Sequence, residues 1–369
     1  MKIDCLPSNP YMTVRPVDPI SGAAPESPPE YDFLLRGVLL TNPGSHPITI
    51  ERLELDVMAD GQELYSRCYR GLGLDERLRR AQSDFQGIQG SIEKFVFGCP
   101  RPFESSAAIF EATIAPGQVC PILFEHFRLP SSIAPQALAV RCGTASGDIV
   151  HEIGITAPSP RNRYRFPLAD TSFIMNALDN TYVLSHRRLQ SQEFALDIMQ
   201  LTPEFSLHSG SGLNGDYPSY GKPVLAASDG VVVISHATMP ENAGDMSHML
   251  AEEQVEQLYL EQGELASMLG NHVIIEHAHG EHTLYVHLKT DCVTVKRGDR
   301  VVAGQPIGRL GNSGFSGGPH LHFALMDGPD LVRAQGIPCV FDELVDVTLR
   351  RPIARPLECG WLVRGNGGS

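Results

Sequence analysis

The sequence predicts a mainly β protein, an N-terminal immunoglobulin-like β-sandwich followed by a compact antiparallel β-sheet domain with short helical insertions. Three observations predict it. The 369 residues carry 35 glycines and 28 prolines among many short apolar runs, the signature of a loop-rich β chain rather than a helical one. From about Tyr31 to Thr156, runs such as FLLRGVLLTN, HPITIERLELDVMA, SAAIFEATI and VCPILFEHFRL alternate with turn residues at Asn42-Pro43-Gly44, Asp60-Gly61 and Pro116-Gly117, the strand spacing of a sandwich. The character then changes. Eleven of the 14 histidines lie from His186 onward, and glycine-punctuated runs such as KPVLAASDGVVVISHA and GNHVIIEHAHGEHTLYVHL dominate, as in an antiparallel barrel or folded sheet.

In chain order, residues 1–160 read as a β-sandwich accessory domain with one helix over Leu74 to Phe95 and no catalytic constellation. The proline- and arginine-rich APSPRNRYRFPLAD points to a linker over 161–184. Residues 185–347 form the second domain, and 348–369 a C-terminal tail. Within the second domain, Met239 to Leu269 has glutamate, methionine and leucine at helix-like spacing. It reads as an inserted loop with a short helix, carrying seven acidic residues and no lysine or arginine; its plain reading is a solvated acidic face.

The net charge of −14 argues against a nonspecific nucleic-acid binder, which needs basic patches to displace counterions from phosphate. No run approaches the ~20 apolar residues of a membrane span. The amino terminus, MKIDCLPSNPYMTVRPVDP, shows no apolar core of a secretory signal, so compartment and oligomeric state stay open. Eight scattered cysteines without a C-x-x-C pair read as buried small hydrophobes.

The chemistry concentrates in GNSGFSGGPHLHFAL, Gly311 to Leu325. Side chains at i and i+2 of a strand face the same way, so His320 and His322 address one site while Leu321 and Phe323 turn into a core. In HTLYVHLK, alternation places Thr283, Tyr285 and His287 on one face and Leu284, Val286 and Leu288 on the other. Upstream, SHRRLQSQEFALDIMQL supplies His186 and, opposite the apolar Phe194, Leu196 and Ile198, the carboxylate of Asp197.

Over roughly Ser185 to Met326 the chain resembles the lysostaphin-type, or LytM-like, zinc metallopeptidases that cut peptide cross-bridges of bacterial cell walls. The resemblance rests on GKPVLAASDGVVV, GNHVIIEH, YVHL, VKRGDRVVAGQPIGRLGNSG and PHLHF in the family's order. It implies a zinc ion held by a histidine and an aspartate of a first motif plus His322, with His287 and His320 flanking the catalytic water. In the family that first histidine and aspartate are usually separated by three residues. Here His186 and Asp197 have ten between them, and His208 and Asp216, in LHSGSGLNGDYPSYG, have seven. The strand placement of Asp197 favours His186 and Asp197, with His208 and Asp216 as the alternative. Two neutral imidazoles and a carboxylate leave zinc one net positive charge and an open position. The H-E-x-x-H helix of other zinc peptidases is absent, which leaves His287 and His320 to handle protons and the oxyanion.

The expected activity is zinc-dependent hydrolysis of peptidoglycan cross-bridge peptides or similar peptides; the rival is a catalytically silent relative that binds wall peptide or a partner protein. Intact His287, His320 and His322 speak against the rival. His236, His248, His272, His277, His279 and His282 read as structural. VKRGDRVVAGQPIGRLG also resembles a lipoyl-type hairpin but lacks a lysine at its tip, and no Gly-Lys-Ser/Thr follows the glycine-rich turn to make a phosphate cradle. Those glycines are expected to serve a tight turn and close substrate approach.

Overall fold

The computed structural model describes residues 1–15, 28–88, 92–100, 102–177 and 186–365. The chain is mainly β, with several antiparallel sheets, and divides into two compact units: Met1–Pro158 with Arg188–Gln190, and Ser159–Arg187 with Ser191–Ser369.

In the first unit, the strand Glu30–Thr41 pairs antiparallel with Lys2–Leu6, Met12–Arg15 and Val119–Pro130. A second sheet is built on Ile48–Ala59, which pairs with Gln62–Arg70, Thr113–Ile114 and Ala137–Thr144. Phe33, Leu35, Ile122 and Phe127 of the first sheet share one core with Leu53, Leu55, Val57, Leu138 and Val140 of the second. The period-2 run Leu53, Leu55, Val57 follows from alternation, and the register shift between Ile50 and Arg52 lets Ile50 enter the same core.

The single helix expected over Leu74 to Phe95 is two, Leu72–Gln86 and Glu93–Phe97, with residues 89–91 outside the described part. The first ends at Gly87, whose N–H is taken by the carbonyls of Ser83 and Phe85. It buries Leu74, Leu78, Ala81 and Phe85 along one face together with Arg77, whose guanidinium lies 2.6 Å from the buried carboxylate of Glu125. All eight cysteines are free thiols. Burial pushes Cys5, Cys120 and Cys142 up to about 12, whereas Cys68 is exposed.

The second unit is organised by an 11-stranded sheet. Its centre runs, neighbour to neighbour, through Gly230–His236, Asn271–Glu276, His282–Leu288, Leu321–Met326, Leu196–Met199 and Ser172–Asn176, all antiparallel. The described part of the expected linker is not a linker. It supplies Ser172–Asn176 to this sheet and Tyr164–Arg165 to a parallel pair with Phe341–Asp342; residues 178–184 lie outside the described part. Nor is the described part of 348–369 a tail, because Leu362–Gly365 pairs with Ser172–Asn176 and with Leu344–Asp346. Proline and arginine content misled here, since short strands with exposed arginines look like linker by composition.

Met239 to Leu269 bridges the paired strands Gly230–His236 and Asn271–Glu276. It holds two α-helices rather than one, Glu252–Gln262 and Glu264–Leu269, parted by Gly263 at φ 86°.

Candidate metal centre

Asp197 and His322 are direct partners on neighbouring antiparallel strands, and opposed residues on such strands project to the same face. Their strands are buried on both sides, with Leu196, Ile198, Leu321 and Phe323 at most 3% exposed. The backbone beneath the site is thereby fixed. His322 Nδ1 lies 3.1 Å from Asp197 Oδ1, and His320 Nε2 lies 3.3 Å from the same oxygen. His186, in the short turn His186–Arg188, brings Nε2 to 3.4 Å from Asp197 Oδ2 and packs its ring edge-on to His322 at 4.5 Å. Among the described residues, His186, Asp197 and His322 are the one group of three histidine, cysteine or acidic side chains whose ligand atoms converge, all within 4.8 Å.

His287 joins this face by a route that simple alternation does not give. Tyr285 pairs with Phe323 and meets it edge-on at 5.4 Å, so Tyr285 faces away from His322, and strict alternation would send His287 after it. The backbone of His287 has φ 62°, a left-handed conformation that is uncommon for a residue with a Cβ. This turn swings the ring to the other face, 4.8 Å from His320 and 6.1 Å from His322. The expected grouping of Tyr285 with His287 is therefore corrected.

The hydrogen-bond partners fix which nitrogens carry protons. A carbonyl only accepts, so His287 Nδ1 donates to Ser313 at 2.8 Å and His320 Nδ1 donates to Gly318 at 2.8 Å. Burial, then the neighbouring His320 and His322, hold His287 well below the ordinary histidine range; its Nε2 is an open lone pair. Burial lowers His320 too, but Asp197 outweighs it and raises the pKa above the ordinary value. Two adjacent imidazoles are thus pushed apart in pKa. Burial carries His186 down to about 4 against the attraction of Asp197, leaving a neutral ring. For Asp197, burial raises the pKa, yet the nearby His186 and His320 keep it well below the usual carboxylate range.

His208 and Asp216 do not make a comparable pair. Asp216 Oδ2 accepts from Leu213 N at 3.1 Å and Ser211 Oγ at 3.3 Å, and the His208 ring tilts against Tyr217 at 5.0 Å. Asp216 is committed to its own loop, whereas His208 Nδ1 is buried with no hydrogen-bond partner among the described residues. Of the other histidines, His277 bonds the Asp229 carbonyl and Thr283, and His282 the Gly280 carbonyl, as expected for structural residues. In the glycine-rich turn, a Cβ on Gly314 would stand 2.3 Å from the Gly270 nitrogen, so the two backbones can touch only as glycines. The close approach is between two segments of this chain.

The sequence assigns no role to three residues at the site. Asn176 Nδ2 donates to Asp197 Oδ2 at 3.2 Å from inside the segment read as linker. Gln192 accepts from His322 at 2.7 Å, and Ser313 supplies the carbonyl that orients His287. Each is an ordinary polar residue in sequence, recognisable only by the strand or turn that carries it.

The description of Peptidase family M23 matches residues 208–333. That span holds His287, His320 and His322 and begins after His186 and Asp197. The chain is 34% identical over 106 residues to "Peptidoglycan DD-endopeptidase ShyA" of Vibrio cholerae serotype O1, covering 29% of this chain and 18% of that protein. It is 31% identical over 144 residues to "Peptidoglycan DD-endopeptidase ShyC" of the same organism, covering 39% and 25%. The chain thus spans a quarter or less of the length of these curated relatives. Among solved structures, the catalytic domain of lysostaphin from Staphylococcus simulans matches at 25% identity and a TM-score of 0.22, over 34% of this chain and 86% of that one. With five motifs in order and the converged histidines on one sheet face, residues 208–333 of this chain match Peptidase family M23.

Proposed function

We propose that this protein is a zinc-dependent endopeptidase that hydrolyses peptide bonds of peptidoglycan cross-bridges or similar peptides. The observation that carries the reading is the convergence of two imidazole nitrogens and one buried carboxylate within 4.8 Å, beside two further imidazoles with opposed protonation preferences. Neutral nitrogen donors with a single carboxylate are a zinc-type set, so His186, Asp197 and His322 would hold the ion. Zinc bound there supplies Lewis-acid activation of water and of the scissile carbonyl. His287, its Nδ1–H tied to Ser313, takes the proton of the attacking water on Nε2. His320, its Nδ1–H tied to Gly318, donates from Nε2 to the oxygen that gains charge and passes a proton to the leaving amine. The first unit, with two antiparallel sheets around one core, reads as an immunoglobulin-like accessory domain.

The test is digestion of purified cross-linked muropeptides followed by mass spectrometry. Cleaved monomers that disappear with chelator and return with zinc are expected; a protein loaded with one zinc per chain that cuts no wall peptide contradicts the reading.

The insert adds a prediction about selection. Val255 and Leu258 of the helix Glu252–Gln262 line a small apolar cavity with Phe315 and Gly314 of the turn that leads into His320. Asn242, by contrast, ties the insert's base to the carbonyls of Asn312, Gly314 and Ser316. The helix therefore makes a removable wall on a fixed base. Replacing Glu252–Gln262 by a short Gly/Ser turn is expected to leave zinc content unchanged and broaden cleavage across a panel of wall peptides. An unchanged profile in a folded, zinc-loaded variant returns the helix to a solvated acidic face.

A further inference from the structure

We propose that Gln192 is a positioning residue that selects the tautomer of His322 and thereby decides which of its nitrogens faces the metal site. The inference rests on the reading of His186, Asp197 and His322 as metal ligands and goes beyond it to a residue with no assigned role. An amide can be placed either way round, so its orientation must come from its neighbours. On one side of the Gln192 amide stand Ser191 Oγ at 3.0 Å and Met326 Sδ at 3.6 Å. Met326 sulfur can only accept. Ser191 has already given its hydroxyl proton to the Leu331 carbonyl at 2.8 Å, so it too has only a lone pair to offer. The amide nitrogen therefore belongs on that side and the oxygen on the other.

The oxygen lies 2.7 Å from His322 Nε2. An amide oxygen cannot donate, so Nε2 must carry the proton. Gln192 and His322 are both less than a tenth exposed, so bulk water does not compete for this contact. With Nε2–H committed, the Nδ1 lone pair is directed at Asp197 Oδ1, 3.1 Å away. Two electron-rich atoms that close repel unless a cation or a proton lies between them. The relay from Leu331 through Ser191 and Gln192 thus presets His322 as an Nδ1 donor. Hydrogen-bond partners of this kind orient metal-bound imidazoles, and their loss costs about 10- to 100-fold in metal affinity.

The experiment compares zinc affinity, by competition with a chromophoric chelator, in the wild-type chain, Gln192→Met, Gln192→Glu and His322→Ala. Gln192→Met keeps the volume and removes the strong acceptor; about 10- to 100-fold weaker binding at unchanged stoichiometry is expected. Gln192→Glu keeps an acceptor oxygen, and Ser191 can turn to donate to its second oxygen, so affinity should stay within a few-fold of wild type. Long-range proton–nitrogen spectra of the zinc-loaded wild type should show His322 protonated at Nε2 and metallated at Nδ1. Wild-type affinity in Gln192→Met, or a spectrum with Nδ1 protonated and Nε2 on zinc, overturns the role of Gln192 while leaving the metal centre in place. Absence of zinc from the wild type, or undiminished zinc in His322→Ala, overturns the metal centre itself.

Discussion

His322→Ala is expected to purify without bound zinc and without peptidase activity. The side chain supplies one of three converging ligand atoms, and alanine leaves a two-ligand site in which the Asp197 carboxylate faces His186, His320 and Asn176. Zinc affinity should fall by more than the roughly 100-fold that loss of a supporting hydrogen bond can cost. Leu321 and Phe323, fully buried on the opposite face, keep the strand folded, so the far-ultraviolet dichroism should match wild type. His320→Ala provides the contrast. It touches the site through Asp197 and the Gly318 carbonyl, so metal should stay while turnover drops about 10²- to 10³-fold, the cost of one oxyanion donor. Elemental analysis beside a muropeptide assay separates the two; equal zinc in His322→Ala and wild type refutes the ligand assignment.

The second large effect is expected at Asp197. Asp197→Ala removes the carboxylate on which His186, His320 and His322 all converge, and leaves Asn176 Nδ2 without the Asp197 oxygen to which it donates. Zinc and activity should vanish together. Asp216→Ala deletes hydrogen bonds confined to the loop around Leu213 and Ser211, worth about 1 kcal/mol to that loop, and should keep full zinc. The reverse result, an empty site in Asp216→Ala and a filled one in Asp197→Ala, hands the first motif to His208 and Asp216.

What could be read from the sequence divides along physical lines. His320 and His322 were legible because an i, i+2 pair on a strand needs only local periodicity, and Asp197 because apolar Leu196 and Ile198 fix its face. His287 was legible as a residue but not in its orientation, since the left-handed backbone that turns it toward His320 has no mark in the local pattern of residues. Asn176 and Gln192 were not legible at all. Their roles depend on which polar atom lies across a sheet or a turn, and a glutamine two residues from an apolar run has no sequence mark of that. The strands at Ser172–Asn176 and Leu362–Gly365 were missed for a related reason. They are short and their partners lie well away in the chain, so nothing nearby in the chain announces them.

The central claim is that zinc sits between His186, Asp197 and His322. Anomalous scattering at the zinc edge from crystals of the zinc-loaded protein tests it most directly. The account predicts one peak per chain bounded by His186, Asp197 and His322 Nδ1, with His287 and His320 beside it and not ligating; a peak between His208 and Asp216 would contradict it.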